Sequence, residues 1–201
     1  MTTAARTRKA LPSVADSSPP EVVLGFWIYL MSDAVIFALL FATYASMSQS
    51  FAGGPTGSAI FDLVNVFYET LLLLLSTFTC GLGMVSLSRK LKTWLVIWLS
   101  VTFVLGALFI RLETIEFQNL LAQGAGPDRS GFLSAFFTLV GCHGLHVSIG
   151  LIWLLVMIVQ ILSKGLTALV CSRLLRFSLF WHFLDLVWVA IFSMIYLLGV
   201  L

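Results

Sequence analysis

A chain of 201 residues that is 60% hydrophobic and only 10% charged carries far more apolar surface than one soluble core can enclose, and no polar stretch is long enough for a second, soluble domain. The composition specifies an integral membrane protein, with no nucleic acid among its partners. The net charge of +2 says less than the places where the charges fall.

Residues 1–21 contain Arg6, Arg8 and Lys9, followed by a stretch rich in Ser, Pro and Asp. No apolar core adjoins these cations, so the segment reads as a flexible tail and not as a cleaved signal. The first apolar run covers about residues 22–46, carries Trp27 and Tyr29 near its entry, and contains one charge, Asp33. The loop that follows includes Gly53-Gly54-Pro55-Thr56-Gly57 and has no Lys or Arg. A second run, about 66–87, is interrupted only by Glu69, and Arg89, Lys90 and Lys92 form a short basic connection after it.

The third run, about 93–117, opens with Trp94 and Trp98 and closes on Arg111, Glu113 and Glu116, which reads as a wet exit. In the next loop Gly124-Ala125-Gly126-Pro127-Asp128 signals a turn, and Ser130 is placed to cap the following helix. The fourth run, about 132–161, holds Cys142-His143-Gly144-Leu145-His146 near its middle, a pair of histidines at i, i+3 around a glycine that lets a neighbouring helix approach. A basic connection with Lys164, Arg173 and Arg176 leads to the last run, about 177–201.

Each run is long enough to cross a bilayer, so the fold class is an all-α membrane protein, a bundle of five transmembrane helices over residues 22–201. Of the eleven Lys and Arg, nine lie in the tail and in the second and fourth connections, which places the N-terminus in the cytoplasm and the C-terminus in the periplasm. The absence of an internal repeat argues against a transporter built from inverted halves.

Polar residues at membrane depth need partners inside protein. On the second span Glu69, Ser76, Cys80 and Gly83 fall on one stripe, with Thr77 beside it, and that stripe reads as a helix-packing face. Glu69 is either a proton relay or a buried acid tied to a neighbouring helix, and the second reading is preferred. On the last span Trp181, Asp185 and Trp188 share a face, flanked by His182, which bonds either to Asp185 or to another helix. Cys80, Cys142 and Cys171 show no paired spacing and read as small buried side chains. A haem between His182 and His143 or His146 is the main ligand alternative, and the chain would then be a small membrane haem protein or a quinone-reactive enzyme. A proton-coupled carrier using Asp33, Glu69 and Asp185 is a third reading.

The run from Gly126 through Phe137, continuing into Gly141-Cys142-His143-Gly144-Leu145-His146-Val147, resembles subunit III of the haem–copper terminal oxidases. So does Trp181-His182-Phe183-Leu184-Asp185-Leu186-Val187-Trp188, and Glu69 and Glu116 fit acidic positions of that family. Five spans instead of seven make the chain similar to the cytochrome o type of ubiquinol oxidase. The resemblance implies a multi-pass subunit of the bacterial inner membrane without haem or copper of its own. Those cofactors belong to the partner catalytic subunit I, beside which it packs, with other oxidase subunits in the complex. It further implies phospholipids held in a cleft between the first two and the remaining spans, within a complex that oxidises ubiquinol, reduces oxygen to water and moves protons. Asp33, Glu69, Glu116, His143, His146, His182 and Asp185 are then buried polar or lipid-groove residues, and none is catalytic.

Overall fold

In the computed structural model, which describes residues 20–48, 50 and 63–197, the apolar runs form five helices. They are α1 (Pro20–Met47), α2 (Leu63–Ser88), α3 (Lys92–Ala122), α4 (Gly131–Lys164) and α5 (Ala168–Ile191), the last continued by a π-helical turn, Phe192–Leu197. Each is long and apolar enough to cross a membrane, and no strand occurs among the described residues. The cations of the tail and the Gly-Pro loop at 53–57 lie outside the described residues.

Helix ends are set by local chemistry. Ser130, in an extended conformation, accepts a hydrogen bond from the Leu133 amide at 3.2 Å, which is the cap expected from the sequence. Thr167 caps α5 in the same way through the Val170 amide at 3.3 Å. At the end of α3 the amides of Gly124 and Ala125 bond back to the carbonyls of Leu121 and Leu120, a Schellman turn in which Gly124 takes the left-handed conformation. The α2–α3 turn repeats this geometry, with the amides of Lys90 and Leu91 bonded to Leu87 and Ser86. There a lysine, Lys90 (φ 57°), occupies the position usually given to glycine.

Two boundaries differ from the hydropathy pattern. α3 runs on to Ala122, because Gln118 and Asn119 are compatible with a helix at the membrane surface and the chain turns only at Gly124. α5 begins at Ala168, so Arg173 and Arg176 stand on its early turns and not in a loop.

Lipid offers no hydrophobic drive for helices to associate, so small and polar side chains fix the contacts. α2 and α3 pack closely: the Thr79 and Thr102 hydroxyls meet at 2.9 Å, and Gly83 leaves room for Leu95 and Leu99. Trp181 of α5 ties the bundle together. Its indole N–H donates to Ser76 Oγ of α2 at 2.9 Å, and its ring lies against Gly106 of α3 and Gly150 of α4. About two turns further along α5, Trp188 donates to Thr70 Oγ1 at 3.1 Å. The stripes read from the sequence on α2 and α5 are therefore two sides of one interface. α1 packs mainly on α4, with a smaller contact on α5, and exposes Leu24, Ile28, Val35 and Leu39.

Candidate functional site

The three histidines do not converge. His143 is fully buried, donates Nε2–H to the Leu184 carbonyl at 3.2 Å, and lies with its ring 5.2 Å from that of Trp188. His146 donates Nδ1–H to the Cys142 carbonyl of its own helix at 2.8 Å. Its Nε2 stands 3.9 Å from Asp33 Oδ2 of α1, within reach as an ion pair but too long for a hydrogen bond. His182 is exposed on the outer face of α5 and donates Nδ1–H to the Ser178 carbonyl at 2.7 Å. Each ring is thus oriented by a backbone oxygen, and two haem ligands facing each other from His182 and the α4 pair are not assembled. Among the described residues no three His, Cys, Asp or Glu side chains gather as metal ligands.

His182 and Asp185 also part company. The helix turns Asp185 inward, where it is buried beside Thr77 of α2, while His182 faces out. Glu69 is buried on α2 with Glu113 and Glu116 of α3 as its charged neighbours, and Glu116 accepts a hydrogen bond from the Tyr196 hydroxyl at 3.3 Å. The π-helical turn buries Ile195 and Tyr196 together and presents this hydroxyl to α3.

Glu113 corrects the wet exit expected for α3. It is 4% exposed, while Arg111 alone of the three charges is exposed, because the helix continues past Phe117 and leaves Glu113 well inside its end. Its carboxyl sits over Gly144: a Cβ there would come within 2.7 and 2.8 Å of the two Glu113 oxygens. The glycine between the histidines does admit a neighbour, as expected, but the neighbour is a carboxyl group. Two signals in the sequence pointed to Glu113, its i, i+3 relation to Glu116 and a glycine on the facing span.

A groove of about 510 Å³ opens between α1 and the α4–α5 pair, lined by Phe26, Tyr29, Trp153, Gln160, Arg173 and Arg176 among others. Arg173 Nη1 donates to Gln160 Oε1 at 3.0 Å, which aims one guanidinium along its wall. The first two helices are not separated together from the other three, since α2 packs tightly on α3 and α5.

These features define a polytopic helical membrane protein whose intramembrane polar groups join helix to helix. The chain belongs to the cytochrome c oxidase subunit III family, which it matches over residues 19–200. It is 54% identical over 187 residues to the cytochrome bo(3) ubiquinol oxidase subunit 3 of Pseudomonas aeruginosa, covering 93% of this chain and 90% of that protein. With the subunit of the same name from Pseudomonas putida it shares 56% identity over 179 residues, 89% of this chain and 86% of the other. The quinol oxidase subunit 3 of Bacillus subtilis is 41% identical over 177 residues, 88% of this chain and 87% of the other.

Proposed function

We propose that the chain is subunit III of a proton-translocating haem–copper ubiquinol oxidase of the bacterial inner membrane, and that it is the non-catalytic member which stabilises catalytic subunit I. The observation that carries this reading is the near-full-length similarity to ubiquinol oxidase subunits combined with an interior in which polar groups bind other helices. Trp181, Trp188 and His143 hold α2, α4 and α5 in register, and the exposed apolar faces are left for lipid and for the partner. Quinol oxidation, haem and copper belong to the partner subunit. The distribution of Lys and Arg supports an N-terminus in the cytoplasm and a C-terminus in the periplasm.

The groove under α1 is the place for a phospholipid. Arg173 and Arg176 on early turns of α5 offer fixed positive charge to a phosphate at the cytoplasmic leaflet, and Phe26, Tyr29 and Trp153 offer aromatic walls to its glycerol and upper acyl chains. Gentle solubilisation of the native complex tests the assignment. This chain should copurify with a haem-bearing, many-span partner and with phospholipid that Arg173→Ala plus Arg176→Ala releases. Recovery of the chain alone, without haem, would refute it.

A further inference from the structure

Trp181 touches Ser76, Gly106 and Gly150, which stand near the middle of α2, α3 and α4. The next residue, His182, is therefore at mid-height of the bundle, fourteen residues after Ala168 and fifteen before Leu197. Either end of the span is about 21 Å away along the axis, whereas the hydrocarbon reaches only about 15 Å to each side of its midplane. At this depth the side chain of His182 is exposed. Its Nδ1–H is committed to the Ser178 carbonyl at 2.7 Å, which leaves Nε2 of the neutral ring as an acceptor turned away from the helix. Nε2 has no hydrogen-bond partner among the described residues. Lipid tails offer it no donor, water is absent from the hydrocarbon, and an imidazole is too short to snorkel to the headgroups as a lysine does.

We propose that the outer stripe of α5 about His182 docks a transmembrane helix of another oxidase subunit, one that presents a hydroxyl or amide hydrogen to Nε2. The proposal rests on the reading of this chain as one subunit of the oxidase, and it adds the surface by which the chain is held. Leu179, Leu186 and Val189 share the stripe with His182 and are exposed, as are Leu74 and Phe78 of α2, the helix that packs against α5 through Ser76 and Thr70. The surface is thus apolar around one polar atom. The leucines pack against the side chains of the partner helix, and the bond to Nε2 fixes its depth and rotation, which dispersion alone leaves free in a membrane. A second copy of this chain is a poorer occupant, since a two-fold contact about His182 would set two Nε2 acceptors face to face. A quinol headgroup could supply a hydroxyl, but Leu186, one turn from the imidazole and 69% exposed, makes a ridge there and not a pocket.

The test uses the purified oxidase complex, immobilised through another subunit, and follows the release of this chain in detergent. His182→Leu should be released about fivefold faster than the parent, the loss of one interfacial hydrogen bond. His182→Gln, whose amide oxygen is an acceptor at similar reach, should stay within about twofold of the parent. The stability of the chain itself should not fall in either variant. A lipid-covered face predicts the opposite sign, because leucine is the better residue against acyl chains, so release of His182→Leu no faster than the parent would overturn the proposal. Equal loss in His182→Gln and His182→Leu would overturn the acceptor role. A photoreactive benzophenone amino acid at Leu186 leaves the imidazole in place and decides the matter should His182→Leu fail to assemble. Irradiation should join this chain to a transmembrane peptide of another subunit, identified by mass spectrometry. Adducts with lipid or quinone alone, or with a second copy of this chain, would refute the docking surface. Failure of the oxidase assignment itself would appear earlier, as a missing haem-bearing partner before any release is measured.

Discussion

Adding one methyl group at Gly150 should loosen the whole bundle. A Cβ there would lie 2.9 Å from Cζ3 of Trp181 and 3.2 Å from both Cε3 of Trp181 and Cε1 of Phe180. Ordinary carbon contacts are about 3.5–4.0 Å, so the indole must retreat by several tenths of an ångström. Its way is blocked, because the far edge of the ring is already so close to Gly106 that a Cβ there would stand 3.1 Å from Cη2 and Cζ2. Its N–H is also fixed to Ser76 at 2.9 Å. Overpacking costs about 1–3 kcal/mol, and losing the indole hydrogen bond adds about 1 kcal/mol, so Gly150→Ala should destabilise by about 2–4 kcal/mol. The assay is retention of this chain in the purified complex during a temperature ramp. Gly25 and Gly81 serve as internal controls, since nothing lies within 4 Å of a Cβ at either. Alanine there should be neutral or stabilising by up to about 1 kcal/mol, through the better helix propensity. If Gly150→Ala is retained as well as Gly81→Ala, Trp181 is not the clamp described here.

Gly144→Ala should be milder, because the carboxyl of Glu113 can swing aside where an indole cannot; in a double-mutant cycle Glu113→Ala should remove its cost, and purely additive effects would show that the two do not touch. His143→Ala should cost about 1–3 kcal/mol by removing the inter-helix bond from its ring to the Leu184 carbonyl and the packing of a fully buried side chain, and the haem spectrum of the surviving complex should not change. His182→Ala, on the exposed face, should stay within about 0.5 kcal/mol, and poor assembly of that variant would place a partner on the outer face of α5. A cytoplasm-active reporter fused after Leu201 should be silent and a periplasm-active one should work, with an insertion near Gly54 behaving alike; opposite behaviour at the two sites would mean a miscounted span.

Periodicity and hydropathy reveal the five helices, the Ser130 cap, and a stripe on each of α2 and α5, because each is a property of one segment and its spacing. The end of α3 is hidden from the same reasoning. Apolar composition marks where the hydrocarbon stops, whereas the helix stops where Gly124 adopts the left-handed turn, so Glu113 stands well inside the helix and not at its exit. The start of α5 is hidden for the same reason, since Arg173 and Arg176 read as a loop while Thr167 is the cap. What separates His182 from Asp185 is the rotation of α5 about its axis, set by Trp181 and Trp188 reaching for Ser76 and Thr70. That rotation depends on three helices at once, and no local pattern records it. The carboxyl over Gly144 is of the same kind: the glycine shows that something comes close, and only the packed bundle shows what.

The central claim is that this chain holds the complex together and takes no part in its redox chemistry. Initial quinol oxidation per haem, measured in the complex before and after selective removal of this chain, tests that most directly. The account predicts unchanged haem absorbance and initial turnover close to that of the intact complex, with faster loss of the complex on standing. Loss of haem absorbance with the chain, or initial turnover lower by orders of magnitude in a complex that keeps its haem, would contradict it.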